Sequence, residues 1–275
     1  MEFENKVIIV TGGTGGIGSA VAEALAQEGA RVIIVGRSKK KIETALKFFQ
    51  GKNIRIFSEE CDVSREGDVR RLVRRVIASF RKIDILVNCA GVQSPIGPFI
   101  GNSFSDWEKN IRVNLLGTVL MCKAVIPYMI KRKSGSVVNF AGGGAASARP
   151  NFSAYATAKA AVVRFTEVLA DEVKKCGIRM NAIAPGAVNT AMTHEVLKAG
   201  RKAGEKELAD VKKRLKNGGT SPELAADLVL FLASDRSKGL SGKLISAVWD
   251  NWRQWGRKDI EKIMKSDRYT LRRIQ

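Results

Sequence analysis

The sequence predicts an α/β protein built on a doubly wound, mostly parallel sheet of the Rossmann type. Strand-like runs rich in valine and isoleucine alternate with helical segments along the chain. Nearly continuous apolar strands are typical of a parallel sheet that is covered on both faces. Because parallel strands need crossover connections, the alternation indicates right-handed βαβ units. The 275 residues suit one large α/β domain with a sizeable core.

The predicted elements follow one another without an internal repeat or linker. The predicted strands cover residues 6–10, 31–35, 54–58, 83–88, 136–140, 179–184 and 243–246. The predicted helices cover residues 16–27, 39–49, 66–80, 105–131, 154–175 and 222–233. Pro185-Gly186 breaks the chain before a polar segment, 187–219, with a further helical stretch. We therefore predict one domain, 1–248, and a C-terminal tail, 249–275, that packs on the domain or on a neighbouring subunit.

Composition excludes several classes of protein. With 45% hydrophobic and 27% charged residues, the chain is typical of a globular protein. No apolar run approaches the roughly 20 residues that span a bilayer, and no basic segment precedes the first strand, so neither a membrane span nor a secretory signal is expected. The four cysteines are widely spaced and His194 is the single histidine. We therefore expect no metal site, and a reducing cytoplasm is the simplest compartment.

The chain is strongly basic, with a net charge of +20 and a pI near 10.1. Such a charge is compatible with a nucleic acid or an anionic ligand as partner, or with a solvated surface rich in lysine and arginine. The basic residues are spread through almost every predicted helix, and no arginine-rich arm is present. The distribution favours a solvated surface over a nucleic-acid site.

A glycine-rich turn lies between the first strand and the first helix and reads Thr11-Gly-Gly-Thr-Gly-Gly-Ile-Gly18. Glycines at this point allow a tight turn and a close approach of backbone N–H groups to a pyrophosphate, and the helix N-terminus adds partial positive charge. The candidate cofactor contacts of this turn are Gly12, Thr14, Gly15, Gly16, Ile17 and Gly18.

The end of the second strand favours NADP(H) over NAD(H). A carboxylate there would bind both hydroxyls of the adenine ribose and select NAD. This chain instead has Gly36-Arg37-Ser38 followed by two lysines, and a guanidinium at Arg37 is suited to a 2′-phosphate. The alternatives are that Arg37 stacks on adenine or points to solvent, and NAD(H) stays possible.

Tyr155 and Lys159 are one helical turn apart on a single face of the helix predicted over 154–175. A phenol with a pKa near ~10 is a poor acid or base at neutral pH. A fixed ammonium nearby favours the phenolate and brings the phenol towards the working range. The pair is therefore a candidate for proton transfer, although Tyr-x-x-x-Lys alone is a weak pattern.

Together these motifs resemble the short-chain dehydrogenase/reductase family over about residues 5–248. The resemblance rests on the order and spacing of the glycine-rich turn, Asp62-Val63, Asn88-Cys-Ala-Gly91, Asn114, Tyr155-x-x-x-Lys159 and Pro185-Gly186. It implies a seven-stranded sheet and hydride transfer between a nicotinamide and a carbonyl or alcohol carbon. It also implies a homodimer or homotetramer built on two long helices.

The resemblance also implies roles for single residues. Tyr155 would be the acid/base, Lys159 would bind the nicotinamide ribose and lower the tyrosine pKa, and Asn114 would hold a water that links Lys159 to solvent. The remaining cofactor contacts would be Arg37, Ser38, Asp62, Val63, Asn88, Ala90, Gly91, Pro185, Gly186, Val188 and Thr190.

The chain departs from the family at the end of the fifth strand. The family usually has a serine 13 residues before the tyrosine, where this sequence has Gly142 after Ala141. Losing one preorganised donor to the reacting oxygen costs about 2.7–4 kcal/mol in barrier. Three substitutes are open: backbone N–H groups of the glycine run, Ser147 or Ser153, or a hydroxyl of substrate or water.

The other substrate candidates are Gly142, Gly143, Arg149, Ser153 and His194. The segment 198–216 is rich in lysine and arginine and would form a mobile lid in this family. With Arg149 it suggests an anionic substrate or a sugar derivative, although a solvated helix face explains it equally well. Three tryptophans within 249–255 are expected to pack, more than to contact a ligand.

The sequence leaves two functions open. The first is an NADP(H)-dependent oxidoreductase that uses Tyr155. The second, motivated by the missing serine, is a dinucleotide-binding sensor or scaffold with impaired catalysis.

Overall fold

The computed structural model describes residues 1–272, and the last three residues of the tail lie outside this range. Seven strands form one sheet within these residues, in the order β3-β2-β1-β4-β5-β6-β7. All six pairings between neighbouring strands are parallel. The strands are β1 Val7–Thr11, β2 Arg31–Gly36, β3 Phe57–Glu60, β4 Ile85–Asn88, β5 Gly135–Phe140, β6 Ile178–Ala184 and β7 Leu244–Ser246. The predicted doubly wound fold is confirmed.

Ten α-helices within the described range surround the sheet. They are α1 Gly16–Gln27, α2 Lys39–Gly51, α3 Glu66–Phe80, α4 Phe104–Ile111, α5 Gly117–Arg132, α6 Ser153–Val173, α7 Ala191–Ala199, α8 Glu205–Asn217, α9 Pro222–Ala233 and α10 Arg257–Met264. The predicted bounds of α1, α3 and α9 agree with these to the residue. The polar segment 187–219 contains two α-helices rather than one, because Gly200 and Gly204 adopt positive φ between them.

Alternation along the strands divides the core between the two faces of the sheet. In β1, Ile8 and Val10 belong to the cluster that packs against α1 and α9, whereas Val7 and Ile9 belong to the cluster that packs against α3 and α5. All four side chains are fully buried. Burial on both faces explains why the strands are apolar throughout.

The segment Phe104–Arg132 corrects one expectation. It forms a continuous helix of 29 residues in which a π-helical turn, Arg112–Leu116, joins α4 to α5, and by length and composition it could cross a membrane. The helix itself agrees with the prediction over 105–131, but its apolar character was underestimated, because residues 113–130 carry a single charged side chain, Lys123. Half of its most apolar window is buried in the protein, with Met121 and Val125 in the core. This degree of burial indicates that Phe104–Arg132 packs in the core of the protein.

The tail covers the outer edge of the sheet. The N–H of Leu244 in β7 donates to the carbonyl of Tyr269 at 2.7 Å, and the ammonium of Lys243 donates to the carbonyls of Ser266 and Arg268. Trp252 is buried against Phe231 of α9. The tail thereby supplies hydrogen-bond partners to an edge strand that would otherwise be open.

The tryptophans of the tail provide a matched stability test. Trp252 is 2% exposed and Trp249 is 84% exposed. We expect Trp252→Ala to lower the free energy of unfolding by about 3–5 kcal/mol, because it empties a core site. We expect Trp249→Ala to change it by no more than about 0.5 kcal/mol. Urea denaturation of both variants measures the difference, and equal losses would contradict the packing described here.

Candidate active site

Two cavities meet at Tyr155, above the carboxyl ends of the central strands. The first has a volume of about 540 Å³ and follows the ends of β1, β2 and β4, and the second has a volume of about 620 Å³ and opens beyond β5 and β6. Ligands of doubly wound sheets bind at this end, where the strand order reverses. Tyr155 lines both cavities.

Most predicted cofactor residues line the first cavity. These are Gly12, Thr14, Gly15, Gly16, Ile17, Gly18, Arg37, Ser38, Asp62, Val63, Ala90, Gly91, Tyr155, Lys159, Pro185 and Thr190. Gly186 and Val188 line the second cavity instead. Asn88 lines neither cavity. It is buried at the end of β4, where its amide donates to Asn139 Oδ1 at 2.9 Å.

The glycine-rich turn fits a closely approaching backbone. Gly12 has a φ of +69°, and a Cβ there would lie 2.9 Å from the Cα of Ala90. A Cβ at Gly18 would collide with the carbonyl of Gly12. Thr11 Oγ1 accepts the N–H groups of both Cys89 and Ala90 at 3.1 Å. The turn and the end of β4 are thus fixed against each other beside the N-terminus of α1, as a pyrophosphate site requires.

Positive charge surrounds the far end of the first cavity. Arg37 and Lys41 both line it, and Ser38 caps α2 by accepting the N–H of Lys41. Asp62 accepts two hydrogen bonds from Ser64, through its N–H and its hydroxyl. Burial alone would raise the pKa of Asp62, but these bonds and the charge of Arg37 hold it below the usual value. The carboxylate is therefore kept ionised beside the guanidinium.

Lys159 is buried one turn below Tyr155 in α6. Its ammonium donates to the carbonyl of Phe140 at the end of β5, at 2.7 Å, and lies 5.6 Å from the centroid of the Tyr155 ring. Burial lowers the pKa of Lys159 to about 8, and Cys89 opposes this shift. The amine is thus poised to exchange a proton close to neutral pH.

The pKa of Tyr155 differs in direction from the one expected. Burial raises it above the usual value, and the Arg149 guanidinium is the charge that opposes the rise. The sequence interpretation assigned the lowering to Lys159 alone. It missed desolvation, which is the larger effect because both groups are enclosed.

Asn114 lies in the π-helical turn and is completely buried. Its amide donates to the carbonyl of Val92 at 2.8 Å, and its Oδ1 accepts the N–H of Val92 at 3.2 Å. A Cβ on Gly91 would lie 2.7 Å from Asn114 Oδ1 and 3.6 Å from Lys159 Nζ. Asn114 therefore holds the strand-end loop next to the lysine, and π-helical turns of this kind are frequent at functional sites.

Gly142 lies directly beside the tyrosine hydroxyl. A Cβ built on it would be 3.3 Å from Tyr155 Oη, and its φ of +126° is a conformation that side chains with L chirality rarely adopt. The N–H of Ala145 donates to the carbonyl of Gly142, which closes a turn over residues 142–145. The two central N–H groups of this turn, at Gly143 and Gly144, donate to no acceptor among residues 1–272.

The predicted substrate residues divide into two groups. Gly142, Gly143 and Arg149 line the second cavity together with Ser147. Ser153 lies outside both cavities and accepts a hydrogen bond from the Trp107 indole. His194 is exposed on α7 and lines neither cavity.

Several lining residues escaped the sequence interpretation. They are Lys41, Gln93, Met192, Glu195, Glu207, Arg214, Trp249 and Asp250. They come from separate segments, so no spacing relates them to Tyr155. The basic run at 198–216 and the tryptophans at 249–255 were the available signals, and neither distinguished Arg214, Glu207 or Trp249 from its neighbours.

Comparison with known proteins identifies the class. The sequence profile of the family described as short chain dehydrogenase matches residues 6–200. The chain is 35% identical over 245 residues to 3-oxoacyl-(acyl-carrier-protein) reductase FabG of Thermotoga maritima, covering 89% of this chain and 97% of that protein. It is 35% identical over 244 residues to dehydrogenase/reductase SDR family member 4 of Caenorhabditis elegans, covering 88% and 94%.

Solved structures agree with this result. Levodione reductase superposes with a TM-score of 0.82 at 28% identity, covering 92% of this chain and all of that one. NAD⁺-bound xylitol dehydrogenase superposes with a TM-score of 0.82 at 29% identity, covering 90% and 98%. The chain therefore belongs to the short-chain dehydrogenase/reductase family of NAD(P)-dependent oxidoreductases.

Proposed function

We propose that the protein is an NADP(H)-dependent oxidoreductase that interconverts a carbonyl and an alcohol, with Tyr155 as the acid/base. The observation that carries the proposal is that the Tyr155 hydroxyl stands where a cavity suited to a dinucleotide meets a second cavity of about 620 Å³. A proton donor at such a junction reaches a substrate oxygen while the reacting carbon faces the first cavity.

The first cavity is proposed to hold NADP(H). The glycine turn would receive the pyrophosphate, and Arg37, Ser38 and Lys41 would surround a 2′-phosphate at the N-terminus of α2. Asp62 and Val63 would contact the adenine. Pro185 and Thr190, which line both cavities, would contact the carboxamide, together with Gly186 and Val188 on the side of the second cavity. The bound nicotinamide supplies or accepts the hydride.

Proton transfer is proposed to pass through Tyr155. The phenol gives its proton to the substrate oxygen in carbonyl reduction and takes it back in alcohol oxidation. Lys159, with a pKa of about 8, would return the proton and bind the ribose hydroxyls. Asn114 would keep the Val92 loop and Lys159 in register for this transfer.

The turn at 142–145 is proposed to replace the family serine. Its central N–H groups, at Gly143 and Gly144, lie at the second cavity and are unused within the described chain. Two free N–H groups in succession form a site for a developing negative charge. Ser147 lines the same cavity and is a second donor.

The substrate is proposed to be a carbonyl compound with an anionic group or a sugar. Arg149 is already paired with Glu207, so its hydrogen-bond donors are less available to a substrate anion. Arg214 hydrogen-bonds the neutral Asn189 carboxamide at 3.2 Å and lines the second cavity. Asp250 on the same cavity has its pKa raised by burial. Arg214 is therefore the better anion contact, and the exposed Trp249 indole offers a surface for a sugar ring or an aromatic ring.

The protein is proposed to work in the cytoplasm as a homodimer or homotetramer, without nucleic acid or membrane partners. Exposed apolar side chains on the two long helices, Ile130 on α5 and Val168 on α6, support self-association. The basic residues are spread over many helices, which is the distribution of a solvated surface.

The activity test uses a matched pair of tyrosine variants. We expect the wild type to oxidise NADPH with members of a panel of aldehydes, ketones and keto-sugars. Tyr155→Phe should reduce kcat by about 10²–10⁴-fold, because it removes the acid. Tyr269→Phe, which alters a tyrosine of the tail that lines neither cavity, should keep full turnover. Unchanged turnover in Tyr155→Phe would refute the role of the phenol. NADPH binding without any turnover by the wild type would favour the sensor function.

The cofactor test compares the dissociation constants of NADPH and NADH by calorimetry. Arg37→Met should weaken NADPH binding about 10–100-fold, because a charge-assisted contact is worth about 1.5–3 kcal/mol. It should leave NADH binding within about threefold, and Arg70→Met, an exposed arginine of α3 outside the cavity, should change neither. Equal losses for both nucleotides would contradict the assignment of Arg37 to a 2′-phosphate.

A further inference from the structure

Arg149 is a cation on the substrate side of the catalytic tyrosine. It lies in the loop after β5 and lines the second cavity with Gly142 and Tyr155. Its guanidinium carbon is 3.8 Å from the centroid of the Phe152 ring and 5.8 Å from the centroid of the Tyr155 ring. Its side chain is only 19% exposed, so its charge acts through little solvent.

The guanidinium is fixed on three sides. Glu207 of α8 accepts Nη2 at 2.5 Å and Nε at 3.3 Å, a bidentate geometry. The buried Gln93 carboxamide, with its oxygen turned to the guanidinium, accepts Nη1 at 2.7 Å and Nη2 at 2.9 Å, and its nitrogen then donates to the carbonyl of Met192 at 3.1 Å. The Phe152 ring covers one face. A long flexible side chain is thereby held in one position, more firmly than a surface ion pair requires.

The titratable and charged groups around Tyr155 come from several elements. Lys159 belongs to its own helix, Cys89 follows β4, Arg149 follows β5 and Glu207 lies on α8, with Arg214 and Asp250 further along the second cavity. The ammonium of Lys159 and the guanidinium of Arg149 lie at nearly equal distances from the ring, 5.6 Å and 5.8 Å, one lining each cavity. While Lys159 is protonated, negative charge on the phenol has a cation on each cavity, and above the lysine pKa of about 8 the guanidinium of Arg149 is the one of the two that stays charged.

We propose that Arg149, held by Glu207 and Gln93, is a positioning residue for proton transfer that stabilises the phenolate form of Tyr155 from the substrate side, where the family serine is absent. The inference rests on the proposed role of Tyr155. Because Glu207 partly neutralises Arg149, the position of α8 sets how much of this charge Tyr155 experiences. The contact thereby links α8, which belongs to the segment predicted to form a lid, to the acid/base.

The proposal predicts opposite effects for the two members of the ion pair. Arg149→Met removes the cation and should raise the pKa of Tyr155 by about one pH unit. Glu207→Gln leaves the cation uncompensated and should lower it. Arg149→Lys keeps the charge and should restore most of the wild-type value. A purely structural role would move the pKa in the same direction in all three variants, through loosened packing.

The measurement is a tyrosinate absorbance titration of the full-length protein, which needs neither substrate nor cofactor. The chain has three tyrosines, so subtracting the titration of Tyr155→Phe isolates the one at the site. Arg201→Met, which removes an exposed arginine of the segment 198–216 that lines neither cavity, controls for net charge. Thermal melts confirm that each variant is folded. If Arg149→Met does not fold, the comparison of Arg149→Lys with Glu207→Gln still tests the proposal.

Opposite shifts that exceed the Arg201→Met control support the proposal. Shifts of the same sign, or none beyond the control, overturn it. Loss of activity in Tyr155→Phe is measured separately, so failure of the proposed function and failure of this inference are distinguishable. Where turnover is measured, the pH profile of kcat should move in the same direction as the titration in each variant.

Discussion

The site depends on the close approach of the residue 142 backbone to the Tyr155 hydroxyl. The end of β5 is fixed from below by the hydrogen bond from Lys159 to the Phe140 carbonyl at 2.7 Å. The chain then turns at Gly142, which has a φ of +126°. A Cβ built on this glycine would lie 3.3 Å from the phenol oxygen. The lysine and tyrosine of α6 and the turn after β5 are thus held at one point.

This constraint determines what else the site needs. A serine donor to the reacting oxygen is worth about 2.7–4 kcal/mol, and the glycine turn leaves no side chain to supply it. The compensation available is electrostatic and lies close by: unused N–H groups in the turn, a desolvated lysine and a clamped guanidinium. Burial strengthens all three, because charges and dipoles interact more strongly where water is excluded. The same burial raises the pKa of the phenol, which is why cations on both cavities matter.

Local patterns predicted the fold and many of the residues that line the first cavity. The strand–turn–helix of Thr11–Gly18 was sufficient, because only glycine tolerates the close contacts of Gly12 and Gly18. The pairing of Tyr155 with Lys159 was equally predictable, since helical spacing fixes their relative positions. The helix Phe104–Arg132 was also predicted, over 105–131, but the sequence analysis did not recognise that its apolar part is long enough to cross a membrane.

Long-range contacts were not predictable in the same way. Glu207 meets Arg149 across 58 positions of sequence, and nothing in either local pattern relates them. Trp249 was grouped with Trp252 by composition, yet one is exposed at the second cavity and the other is in the core. Burial is decided by how the tail crosses the sheet edge, and the sequence pattern does not record that path. The positive φ of Gly142 could not be predicted from the sequence either. It matters because it distinguishes a loop with a changed backbone conformation from one that has only lost its serine side chain.

The most direct test of this account is to return the serine with Gly142→Ser and measure kcat on any aldehyde or ketone that the wild type reduces. We expect that kcat does not rise and that thermal stability falls, because forcing a side chain into this backbone conformation costs on the order of 1–3 kcal/mol. A rise in kcat of about 10²–10³-fold, with unchanged stability, would contradict it. That result would mean that the loop still accepts a serine at position 142, and that Gly142 only removes a side chain that the site could use.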